Sequence, residues 1–204
     1  MPIIAPLYSI DFSDCVVVAG DPENPVRYET HRNILCIQSP VFKAGLANEN
    51  FKEGITREFS LPEFNAATMN LVLAWMYKQP VELQSRIRTE SDFDLIAEAL
   101  RALDYLQLKD IKEELIDQIG RQLSVKLPLV GRENTTIRFL DKLYHYGGHI
   151  QDSYVDQYLH RVESAGRGKE VSDAISELED PDIDFLRQMC ASLLKRSPYK
   201  ARKG

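Results

Sequence analysis

The chain has only three cysteines among 204 residues, Cys15, Cys36 and Cys190, and no two of them form a CxxC pair. An odd, scattered set argues against the disulfide frameworks that staple small secreted domains. The thiols are therefore expected to be reduced. Long apolar runs are also missing, since none approaches the ~18 residues that a membrane-spanning helix needs. MPIIAPLYSIDF has no basic leader ahead of its apolar residues. Together these predict an intracellular protein of the cytoplasm or nucleus, without a membrane partner. Basic charge is scarce as well: residues 1–130 carry 13 basic and 19 acidic side chains, and residues 131–204 carry 12 of each. An acidic first half repels phosphate backbones, so direct nucleic-acid binding is not expected of it. Only the stretch KRSPYKARKG is strongly basic, with Lys195, Arg196, Lys200, Arg202 and Lys203 and no acid. It reads as a solvated, disordered tail or as a nuclear-import or anion-binding segment.

Complete catalytic motifs are absent too. In YETHRNILCIQSPVFKAGL, His31 precedes Cys36 by five residues and raises the question of a base and its nucleophile. A reactive thiolate needs an electropositive, partly open site, whereas Cys36 is flanked by Leu35 and Ile37. A buried, packing cysteine is the expectation. His145, His149 and His160 raise a metal site, but Gly147 and Gly148 interrupt the spacing and no HExxH pattern completes it. The pairs Glu113-Glu114 and Asp182-Asp184 read as acids at helix starts and on solvated faces. GRGKE at 166–170 lacks the Walker spacing and a preceding strand. No active site assembles, and neither a cofactor, a metal nor a small-molecule substrate is expected.

What the chain has is apolar content, 44% of its residues, arranged in two periods. CVVVAG reads as a strand buried on both faces. VRYETH alternates Val26, Tyr28 and Thr30 with Arg27 and Glu29 and reads as a half-exposed strand, paired with the first across GDPENP. Ser39 is placed to cap a helix starting at Pro40, with Phe42 and Leu46 on its inner face. REFSL is a third strand, and Asn65 caps a helix whose Met69, Val72, Leu73 and Met76 face the core. The polar stretch QPVELQSRIRTESDFD is expected to be a long connection. Ile96, Leu100 and Leu103 then mark one helix, with Leu106 near its end. Asp110 and Glu113 make a capping-box-like start for Ile111, Leu115, Ile119 and Leu123. LPLVGRENTT, 127–136, with Pro128 and Gly131, is the expected boundary. After it come four helical stripes: Ile137, Leu140 and Tyr144; Val155, Leu159 and Val162; Val171, Ile175 and Leu178; Phe185, Met189 and Leu193. There is no internal repeat.

In this order the pieces resemble the BTB/POZ family. Ser13-Asp14 opens the first strand, His31-Arg32 closes the second, and Leu35 with Ser39-Pro40-Val41-Phe42 forms the corner. Phe51-Lys52-Glu53 is similar to the family's apolar-x-Glu signature. Trp75-Met76-Tyr77 ends the core helix, and Ala102, Tyr105, Leu108 and Ile111 follow a later pattern of the family. Gln79-Pro80, the long connection to Asp94 and the short N-terminus depart from it. The short start and the four-helix remainder look most like the BTB proteins of filamentous fungi.

The resemblance implies an α+β fold, with a small sheet of about three or more strands covered by helices and an all-helical C-terminal region after it. It divides the chain into a BTB domain at 12–125, a helical region at 132–195 and a basic tail at 196–204. It implies a noncatalytic interaction module that self-associates, recruits proteins or serves as substrate adaptor of a cullin-type ubiquitin ligase. A transcription- or chromatin-associated role is the alternative, and an enzyme using Cys36 and His31 a lesser one. Phe51, Lys52 and Glu53 become the candidate protein-binding residues, and Ile3, Ile4 and Leu7 the candidate contacts of a homodimer. Asp14, His31, Leu35, Ser39, Phe42, Trp75 and Tyr77 become structural motif residues rather than a catalytic set.

Overall fold

A computed structural model describes residues 9–79, 90–125 and 133–196. The chain divides into two compact units, one made of residues 1–82 and 91–112, the other of 83–90 and 113–204. The candidate dimer contacts Ile3, Ile4 and Leu7, most of the polar connection after Gln79, and the basic tail beyond Arg196 lie outside the described residues.

The first unit is built on a three-stranded sheet of order β2-β1-β3. β1 (Cys15–Ala19) is its central strand, as its run of β-branched residues predicts. Cys15, Val17, Val18 and Ala19 are all buried. β2 (Val26–Thr30) pairs antiparallel with it in the register Cys15↔Thr30 to Ala19↔Val26. Tyr28 and Thr30 point inward while Arg27 and Glu29 face out, so the alternation in VRYET sets this face. β3 (Glu58–Leu61) joins the other edge in parallel, with Val17 opposite Phe59 and Ala19 opposite Leu61.

A parallel pair requires a long crossover, and this one carries α1 (Arg32–Gln38), α2 (Pro40–Leu46) and α3 (Lys52–Thr56). Ser39 ends α1 and caps α2, its Oγ accepting from the Phe42 amide at 3.2 Å with Pro40 as first helical residue. α4 (Ala66–Met76) begins at Asn65, whose side chain accepts from the Thr68 amide at 2.8 Å. Met69, Val72, Leu73 and Met76 are buried to within 1%. α5 (Glu90–Tyr105) starts four residues before Asp94, where the polarity of TESDFD had pointed to a connection. Phe93, 4% exposed, gives that first turn an apolar anchor.

α6 (Lys109–Val125) contains the division between the units. Asp110 stands inside its first turn rather than ahead of it, so it acts on the helix dipole instead of forming the expected capping box. The second unit is helical among the described residues: the rest of α6, then α7 (Glu133–His145), α8 (Asp152–Ser164), α9 (Gly168–Ser176) and α10 (Ile183–Arg196). The inner residues of all four stripes fill its core, among them Ile137, Leu140, Val155, Leu159, Val171, Phe185 and Met189. Asp182 caps α10, its Oδ1 accepting from the amides of Asp184 at 2.9 Å and Phe185 at 3.0 Å.

Candidate functional site

Two places in the first unit collect the residues that the sequence singles out. One is the corner where β2 passes into α1. Asp14 Oδ1 accepts from the Arg32 amide at 2.7 Å, supplying from the opposite strand the cap that α1 lacks locally. The His31 amide donates to the Tyr77 hydroxyl at 2.8 Å, and His31 Nδ1 lies 2.8 Å from the same oxygen. His31 Nε2 meets the Asp11 carbonyl at 2.6 Å. Burial pushes the Tyr77 hydroxyl up to about 12, with the His31 amide opposing the shift, so the phenol keeps its proton. Ser39 Oγ, fully buried, donates to the Leu106 carbonyl at 2.7 Å and ties the end of α5 to this corner. Leu35 and Phe42 are 0% exposed, with Phe42 edge-on to Phe59 at 4.9 Å. Trp75 is half-buried in the last turn of α4.

Cys36 takes no part in this network. Its thiol donates to the Phe42 carbonyl at 3.7 Å, and burial raises its pKa with Arg32 opposing. Both imidazole nitrogens of His31 are directed at other partners, so no hydrogen bond joins base to thiol. Among the other histidines, His145 Nε2 reaches the Asp180 carbonyl at 3.0 Å, His149 lies edge-on to Tyr144, and His160 is exposed on α8. No cluster able to hold a metal occurs among the described residues.

The second place is the start of α3. Phe51, 51% exposed, occupies the N-cap position, Lys52 is exposed, and Glu53 is a half-buried acid of the first turn. Ile55, four residues after Phe51 and therefore on the same side of the helix, is 70% exposed. Gly54 between them is buried, and a Cβ there would overlap the Asn48 carbonyl. A Cβ on Gly45 would fall 2.6 Å from Cε2 of Phe59, with Glu53 Cβ also in contact. These two close approaches seat α3 and were not apparent from the sequence, where neither glycine marks a turn. Ile55 was missed as well, because an isolated isoleucine next to a glycine has no periodicity to read.

The conspicuous polar residues of this unit thus hold the fold together, and apolar and acidic side chains stand at its rim. The family model of the BTB/POZ domain matches residues 6–123, and the chain belongs to the BTB/POZ family, whose domain is a protein–protein interaction module. A comparison with curated proteins gives no match.

Proposed function

We propose that the chain is a noncatalytic interaction protein that recruits partners through the corner formed by Phe51, Lys52 and Glu53, as substrate adaptor of a cullin-type ubiquitin ligase. The observation that carries this reading is the paired exposure of Phe51 and Ile55 beside the Glu53 carboxylate. An apolar anchor next to a charge has the composition of an interface hot spot. In this reading the BTB domain spans 12–125, the helices of 132–195 present or support a bound partner, and the basic segment 196–204 follows. The protein acts inside the cell, in cytoplasm or nucleus, and its four-helix continuation favours the kinship with fungal members. Self-association would use Ile3, Ile4 and Leu7.

Titrating a cullin N-terminal domain into the full chain, with Phe51→Ala and Glu53→Ala alongside, tests the adaptor role. Both positions are solvent-facing enough for folding to survive the change. Binding weakened at least about tenfold by either substitution is expected. Light scattering over a concentration series reports self-association, and a strict monomer indifferent to the cullin would remove the proposal.

A further inference from the structure

α10 is apolar on two of its sides. Phe185, Met189 and Ser192 are 1% exposed and face the core of the second unit. At about 100° per residue, Leu193, Leu186, Cys190, Ile183 and Leu194 follow in one unbroken sector beside that face, and no charged residue of the helix falls within it. Leu186 and Leu193, nearest the core, are half-buried; Cys190 is exposed, and Ile183 and Leu194 are 65% and 68% exposed. The opposite flank is already occupied. There Gln188 donates to the Ile150 carbonyl at 2.7 Å and Lys195 reaches Asp156 at 3.5 Å.

Single apolar residues on a surface are ordinary, but five in one sector of a 14-residue helix form a face. Ile183, Leu186, Cys190 and Leu193 are spaced three, four and three residues apart, the repeat by which two helices interlock along a seam. Charge selects what meets it. Glu179, Asp180, Asp182 and Asp184 stand at the start of α10, and Lys195 and Arg196 at its end. A second copy of α10 laid antiparallel brings the basic end of each helix to the acidic end of the other, whereas a parallel copy stacks like charges. Antiparallel positions then pair symmetrically about Gln188, with Ile183 opposite the second copy's Leu193 and Leu186 opposite its Cys190. Such a contact is self-complementary and closes at two copies.

We propose that two copies of this chain associate through this sector of α10, with the helices antiparallel about a twofold axis at Gln188. The contact goes beyond the adaptor reading and uses neither the Phe51 corner nor Ile3, Ile4 and Leu7. One pair of short helices buries less than the ~1,200 Å² of standard interfaces, so the dimer is weak and concentration-dependent. Sedimentation velocity tests it on the full chain carrying Ile3→Ser, Ile4→Ser and Leu7→Ser, which removes contacts of the N-terminal segment. This background should still show a monomer–dimer equilibrium. Adding Ile183→Lys or Leu194→Glu should weaken it at least about tenfold. Mixed in equal amounts, the two variants should associate at least about threefold more tightly than either alone, because antiparallel packing sets the introduced amine beside the introduced carboxylate at one end and leaves the native pair at the other. That recovery also shows both variants to be folded. Association that survives both substitutions, or a mixture no tighter than its components, would overturn the proposal. A strict monomer in the background would give the sector to another protein or another part of this chain, and would overturn it too. Phe51 and Glu53 are unchanged throughout, so a cullin titration of the same variants reads the adaptor role separately.

Discussion

The Tyr77 hydroxyl joins two groups of His31 at the β2–α1 corner, the oxygen lying 2.8 Å from both the backbone amide and Nδ1 of the histidine. A carbonyl only accepts, so Nε2 carries the hydrogen that it directs at Asp11. The imidazole therefore has two partners, the Asp11 carbonyl and the Tyr77 hydroxyl, and the backbone amide shares the second of them.

Tyr77→Phe removes the shared oxygen and leaves the His31 amide and Nδ1 without it. The expected cost is about 1–3 kcal/mol, the penalty for stranding partly buried polar groups. Urea unfolding should show a lower midpoint at unchanged slope. A midpoint within error of the parent would mean that the corner is held by packing alone.

Four helices end in the same reversal. In each, two amides past the last turn return to carbonyls within it: Gln79 to Ala74 and Lys78 to Trp75 after α4, Leu108 to Leu103 and Gln107 to Asp104 after α5, with matching pairs at Gly147-Gly148 and Gly166-Arg167. The left-handed position is glycine in the last two but Lys78, φ 54°, and Gln107, φ 55°, in the first two. A side chain there costs on the order of 1 kcal/mol. Lys78→Gly and Gln107→Gly should each stabilise the chain by up to roughly 0.5 kcal/mol once the added freedom of the unfolded chain, about 0.4–1 kcal/mol, is subtracted. Thermal denaturation measures it, and a lower melting temperature for both would refute the assignment of strain.

These ends also show where the sequence was legible. Gly147 and Gly166 announce their reversals, whereas nothing in Lys78 or Gln107 does, because the hydrogen-bond frame imposes the conformation against local preference. Ser39, Asn65 and the alternation in VRYET act through near neighbours, and the elements they predict are the elements that form. The start of α5 is hidden from a periodicity reading because its anchor, Phe93, is one apolar residue in a polar stretch. The Phe51–Glu53 corner was found through family pattern, but Gly45, Gly54 and Ile55, which shape it, depend on contacts with Phe59 and Asn48 that no local period encodes.

Gly54→Ala places a methyl group against the Asn48 backbone, where no flexible side chain can move aside. α3 must shift, and a destabilisation of about 1–3 kcal/mol is expected, the range of overpacked interiors. Gly168 is the control. Its added Cβ would meet only Glu163 Cγ at 3.7 Å at the start of a helix, so Gly168→Ala should be neutral or stabilising by up to about 1 kcal/mol. Equal effects of the two, measured by urea unfolding, would show that the approach of α3 to Asn48 is not tight.

The three thiols should react in the order of their surroundings. Cys190 is exposed, Cys36 is half-buried with a raised pKa, and Cys15 is 3% exposed. Thr30 gives its hydroxyl hydrogen to the Cys15 carbonyl, so the Cys15 thiol is the donor across the 3.2 Å contact with Thr30 Oγ1. Burial pushes this thiol from 9.0 to about 11. Iodoacetamide at pH 8 should label Cys190 first and Cys15 last, at a rate set by opening of the fold. The same burial links stability to pH. Above about pH 9 the unfolded thiol loses its proton while the native one keeps it until about 11. Native stability from this group is therefore complete below pH 9 and falls as pH rises through that window, by at most about 1.4 kcal/mol per pH unit. Burial holds the Tyr28 and Tyr77 hydroxyls up to about 12 against a usual 10.0, so their share is lost only at higher pH. Urea midpoints between pH 9 and pH 10 report the raised thiols, Cys15 and Cys36: Cys15→Ala should reduce the decline there, leaving the share of Cys36 and the steeper loss above pH 10 in place. An unchanged decline would assign the first alkaline transition to a group other than the thiol of β1.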